Sequence, residues 1–197
     1  MVALMDVGRI GLMLGPGSNR RSSYPAHVAW GADNGCFANN YNETKWWDFL
    51  TRWAAFAPSA LFAAAPDVVC DAAATLERSA SWLERIRALG YPVAYVGQNG
   101  QGDVPVPWDE VDAFFIGGDD PWKLGPEAAS LAAEAKGRGK WVHMGRVNSG
   151  RRWRYAERIG CDSVDGTFLR WPTTNLPRLR TWINASDQFD LFAETVA

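Results

Sequence analysis

Short apolar runs recur along the chain at residues 10–14, 27–30, 61–65, 92–96, 113–116, 141–144 and 160–167. Each is bounded by turn-forming Gly, Pro, Asp or Asn, which reads as a strand. Between them the apolar positions switch to helical spacing. Asn42 caps a stripe of Trp46, Trp47, Leu50, Trp53 and Ala54 that Pro58 ends. Leu76, Ala80, Leu83 and Ile86 form a second stripe closed by Gly90. Pro126 opens a third, with Ala128, Leu131, Ala132 and Ala135, before Gly137 and Gly139. Ser149 caps a fourth with Trp153, Ala156 and Ile159, and a last helix is predicted over 176–183. Residues 18–23, with Arg20 and Arg21, read as a polar loop, and the tail from Asn184 is ambiguous.

Strand and helix alternate with short linkers, which means parallel strands with helical crossovers. The pattern predicts an α/β fold, a small or incomplete (β/α) TIM-like barrel, occupying residues 1–197 as one domain. A doubly wound open sheet is the second choice, because no glycine fingerprint follows the first strand. Composition adds exclusions. With 47% hydrophobic and 21% charged residues the chain can build a core. No run reaches the roughly 18 apolar residues of a membrane helix, and no secretory signal pattern opens the chain. Three separated cysteines form no disulfide framework and suit a reducing cytoplasm; with only two histidines, His27 and His143, no metal site is expected. The net charge of −2 does not announce nucleic acid. Eleven tryptophans are mostly packing, with some available as stacking platforms for bases.

The polar residues fall where a barrel does its chemistry, at the carboxyl ends of the strands. Asp33, Asp67, Gln98, the pair Gly117 and Gly118, and Asp165 each end a predicted strand. In the stretch 160–167, alternation puts Cys161, Ser163 and Asp165 on one face. Three carboxylates on one rim repel each other unless something uses them. One can be a nucleophile and another a proton donor or acceptor. A third carboxylate, with the Gln98 amide, matches the donor and acceptor edge of guanine, and a bare Gly118 backbone lets a flat ring approach. Asp71, just before the second helix, reads first as its N-cap.

In order, Asp33-Asn34-Gly35-Cys36-Phe37, strand-end Asp67, Val96-Gly97-Gln98-Asn99-Gly100, Ile116-Gly117-Gly118, Met144-Gly145 and Asp162-Ser163-Val164-Asp165 resemble the queuine tRNA-ribosyltransferase family. They are more similar still to its phage branch, thought to insert 7-deazaguanines into DNA. The resemblance covers roughly residues 29–167. It implies that Asp165 is the nucleophile, that Asp33 assists proton transfer, and that Asp67, with Asp71 as the fallback, reads guanine together with Gln98, Gly117 and Gly118. The tRNA enzymes are longer and carry a zinc site of three cysteines and a histidine; this chain has no such cluster, which favours DNA over tRNA. Cys36 replaces a glycine of the Asp33 motif.

The expected reaction is base exchange: Asp165 displaces guanine from C1′, a covalent aspartyl-glycosyl intermediate forms, and a free 7-deazaguanine base takes guanine's place. The logic is that of a retaining glycosidase, whose carboxylates lie about 5–5.5 Å apart. The target base must leave the stack. Arg151, Arg152, Arg154 and Arg158 near the catalytic strand could hold DNA phosphates, as could Arg170, Arg178 and Arg180. No cofactor and no membrane partner are expected; a homodimer is allowed. Location is the cytoplasm, the host's if the chain is phage-encoded. The rivals are a nucleoside or glycoside hydrolase or free-nucleoside transferase on the same barrel, and a non-catalytic nucleic-acid-binding subunit. A barrel aldolase is disfavoured, because no lysine ends a predicted strand.

Overall fold

A computed structural model describes residues 2–18, 21–38 and 41–185. Seven strands, β1 (Leu12–Leu14), β2 (Trp30–Ala32), β3 (Ala60–Ala64), β4 (Val93–Gly97), β5 (Ala113–Ile116), β6 (Trp141–Met144) and β7 (Ser163–Val164), form one sheet. Their order in the sheet is their order in the chain, and every neighbouring pair is parallel. The helices are α1 (Val2–Asp6), α2 (Glu43–Trp53), α3 (Ala72–Ala88), α4 (Asp120–Lys123), α5 (Pro126–Gly137), α6 (Gly150–Arg158) and α7 (Pro172–Asn184). The sheet curls into an incomplete α/β TIM-like barrel. Its edge strands β1 and β7 line one cavity of about 340 Å³, into which Met13, Phe62, His143, Ser163 and Asp165 project.

Period-2 alternation sorts the strand residues into two layers. Phe62, Ala94, Ala113, Phe115 and Trp141 pack as an inner cluster with Met13, while Trp30, Val93, Tyr95, Phe114, Ile116, Val142 and Met144 join the helix-side core. Gly31 lies opposite Phe62, and a Cβ there would come 3.0 Å from the Phe62 ring. The small residue thus gives the inner aromatic its space.

The helices form where their stripes predict, with Phe49 buried in α2 and Trp47 only partly so, but two placements depart further from expectation. α2 is capped by Asn42, whose side chain accepts from Lys45 N, and buries Trp46, Phe49, Leu50 and Trp53. Ser149 caps α6 in the same way, through Arg152 N. α3, however, turns a different face inward. Ala80 is exposed, while Thr75, Ser79 and Trp82 are buried with Leu83 and Ile86. Burial of the two hydroxyls is possible because the Thr75 hydroxyl accepts from Val68 N and donates to Val68 O, and Ser79 donates to Leu76 O. The second departure is Arg21. Instead of sitting in a solvated loop it is fully buried, its guanidinium donating to the carbonyls of Tyr24, Pro25 and Ala26 and to Ser59 Oγ, over the Phe56 ring. These acceptors replace water at the two terminal nitrogens, while the buried Nε has no hydrogen-bond partner among the described residues. The ambiguous tail beyond Ala185 lies outside the described residues.

Candidate active site

Both key carboxylates stand one residue past a strand, on backbone that prolongs the ladder. Asp33 N donates to Leu14 O at 2.7 Å. Asp165 N donates to Met144 O at 3.1 Å, and Asp165 O accepts from Val147 N at 2.6 Å. Extended backbone keeps the alternation going, so Asp33 follows Gly31 and Asp165 follows Ser163 on the inner face. The two lie near enough that the Asp165 charge acts on Asp33. Burial, chiefly, pushes the Asp33 carboxyl above its ordinary value; the Gly35 amide opposes this, Asp165 adds to it, and His143 opposes it. Gly35 N donates to Asp33 Oδ1 at 3.1 Å.

Asp67 and Gln98 meet on the same rim. Asp67 Oδ2 accepts from Gln98 Nε2 at 2.7 Å, and Oδ1 accepts from Asn34 Nδ2 at 2.8 Å. Gln98 Oε1 in turn accepts from Gly118 N and Cys70 N, each at 2.9 Å. Asp67 is only 5% exposed. Burial raises its carboxyl, against the pull of hydrogen bonds from Asn34 and Cys36. The Cys36 thiol, pushed up to about 12 mainly by burial, serves as a neutral neighbour to that carboxylate. Gly117 and Gly118 close the group. A Cβ on Gly118 (φ +56°) would come 2.3 Å from the Trp122 ring. Asp71 stands apart: it is exposed and caps α3, accepting from Ala74 N at 2.9 Å.

Three residues outside the sequence-derived set complete the rim. Arg146 follows β6 with φ +62°, a strained position for a side chain other than glycine. Its amide donates to Asp165 Oδ1 at 3.2 Å. Its guanidinium reaches the carbonyls of Gly118 and Gly117 and lies 4.0 Å over the Phe37 ring, which is 59% exposed. His143 and Ser163 lie beneath Asp165, with His143 Nε2 3.2 Å from Asp165 Oδ1. Alternation already put Ser163 on the face of Asp165, and the same rule would have put His143 on the inner face; nothing in the sequence marks the reach of Arg146. Lys123, fully buried in α4, ties Asp120 (3.0 Å) to Gly145 O (3.1 Å), and so braces the end of β6.

α6 carries the arginines expected to meet phosphates. Arg151 and Arg154 are exposed, whereas Arg152 is ion-paired with Asp120 and donates to Arg146 O at 3.3 Å. Trp171 is 66% exposed, and the other tryptophans are buried or half-buried. Among the described residues, no group of three or more His, Cys, Asp or Glu could hold a metal ion, and no helix is long and apolar enough to cross a membrane.

No protein-family model matches the chain. No curated protein matches it. Among solved structures it is similar to one described as PaMucR phosphodiesterase in a c-di-GMP complex, at 15% identity and a TM-score of 0.41. The match covers 72% of this chain and 59% of that one, a similarity too low to bear on chemistry.

Proposed function

We propose that the protein is a base-exchange transglycosylase that replaces guanine in DNA with a 7-deazaguanine. The observation that carries the reading is the gathering of Asp33 and Asp165 on one rim, within reach of each other's charge. A paired nucleophile and proton carrier need that juxtaposition. In the first half-reaction Asp165 attacks C1′ of the flipped nucleotide, the C1′–N9 bond breaks, and its electron pair leaves with guanine. Asp33, whose raised carboxyl favours the protonated form, delivers the proton that guanine takes up. In the second half-reaction Asp33 takes the N9 proton of the incoming 7-deazaguanine. The free N9 pair attacks C1′ and Asp165 leaves. Two inversions retain the configuration.

Base reading falls to Asp67, Gln98 and the Gly118 backbone. They already form a linked set of donors and acceptors. A guanine edge would exchange the Asp67–Gln98 and Gln98–Gly118 bonds for bonds to its own N1–H, 2-amino and O6 groups. Arg146 and Phe37 would form the upper wall against which a ring could lie. Arg151 and Arg154 would meet phosphates, as would Arg152 after release from Asp120.

The test follows labelled guanine. Duplex DNA carrying [¹⁴C]guanine is incubated with protein and a 7-deazaguanine base, and the nucleosides are analysed by mass spectrometry. Release of guanine with matching deoxy-7-deazaguanosine is expected from the wild type and none from Asp165→Ala. Undiminished exchange in Asp165→Ala rejects the assignment, and abasic sites in place of deoxy-7-deazaguanosine would make the protein a hydrolase.

A further inference from the structure

We infer that His143 is a positioning residue that fixes which oxygen of Asp165 is left to react, through a hydrogen-bond chain from Trp141 and Ser163. The inference rests on the nucleophilic role proposed for Asp165. The chain begins at the Trp141 indole N–H, which can only donate and reaches Ser163 Oγ at 2.8 Å. Ser163 Oγ lies 2.7 Å from His143 Nδ1. With Trp141 donating to the oxygen, the single hydroxyl proton is free to point at Nδ1, which accepts it. In the neutral ring the proton then resides on Nε2, which donates to Asp165 Oδ1 at 3.2 Å. The opposite tautomer would set a bare nitrogen lone pair against a carboxylate oxygen.

The ring has little freedom to escape this arrangement. It is 2% exposed and packs against Phe62 and Phe115, which also meet edge to face, with ring centroids 4.9 and 4.6 Å away. The Arg146 amide also falls on Oδ1. Two donors therefore converge on one oxygen, and Oδ2 is the one left to attack. His143 touches neither base nor sugar in this scheme. It acts by holding the nucleophile, as outer partners hold the ligands of a metal.

The molecule has only two histidines, which makes the tautomer measurable. ¹⁵N–¹H correlation NMR of ¹⁵N-histidine protein should show His143 protonated on Nε2 and accepting on Nδ1. His27, exposed beside Asp6, gives the second, distinguishable signal. Protonation on Nδ1 alone would overturn the inference. In exchange assays His143→Leu should lower kcat by about 10- to 100-fold with KM unchanged. His143→Gln, which keeps an N–H donor, should recover most of the rate. An unchanged kcat in His143→Leu, or a loss that glutamine fails to restore, overturns the inference. If the leucine variant does not fold, Ser163→Ala carries the test: it should mix the tautomers and slow exchange, and an unaltered spectrum and rate would count against the chain. A wild type that releases no guanine overturns the functional reading instead, whatever the tautomer.

Discussion

Asp67 accepts an amide N–H on each oxygen, one from Asn34 and one from Gln98. An asparagine in its place cannot do that. In Asp67→Asn the new amide group must face one of those donors, so a buried bond is lost. The expected destabilisation is about 1–3 kcal/mol, read by urea denaturation, and guanine recognition should fall far more than DNA binding. Asp33 leads to a prediction in pH. Its folded-state carboxyl is raised, above all by burial, so the folded protein holds that proton to higher pH than the unfolded chain does. Stability from this group is fully present below the unfolded value, about 3.9, and is lost as pH rises through the folded one. Asp33→Asn keeps an acceptor for Gly35 N and removes the titration. Urea midpoints measured across the acid range should therefore fall less steeply with rising pH in the variant; identical slopes would refute this.

Elements hold these residues by their ends. The β5–α4 turn is the tightest such joint, because Gly118 combines a positive φ with a van der Waals contact on Trp122 that leaves no room for a methyl group. Gly118→Ala should lower the thermal midpoint by several degrees, equivalent to about 1–3 kcal/mol, and displace the amide that Gln98 accepts. Calorimetry with the exchange assay checks both. α6 shows the same dependence on its start. Ser149→Ala removes the hydroxyl that accepts from Arg152 N, and should cost about 1 kcal/mol while leaving the rim carboxylates in place.

At the scale of the molecule, seven parallel strands in chain order bring Asp33, Asp67, Gln98, Gly118 and Asp165 to one rim, and Arg151 and Arg154 stand exposed on α6. If those arginines meet phosphates, Arg151→Ala with Arg154→Ala should weaken DNA binding at low salt. The double substitution should reduce the slope of log K against log salt by about 2; an unchanged slope in fluorescence anisotropy would remove them from the interface. The alternation of apolar runs and helical stripes was enough to determine the β/α order, the Asn42, Asp71 and Ser149 caps, and the strand ends at which polar groups fall. These are properties of neighbours in sequence, governed by local periodicity and local hydrogen bonds. Contacts between distant segments were not encoded there. Burial of Arg21 needs carbonyls from its own loop and a hydroxyl 38 residues away. The inward face of α3 was settled by backbone partners for Thr75, and the Asp67–Gln98–Gly118 network joins three strand ends. The Trp141–Ser163–His143 chain under Asp165 exists only because β6 and β7 are paired in one register. Periodicity can assign a side chain to a face, but only the packed sheet decides what it meets there.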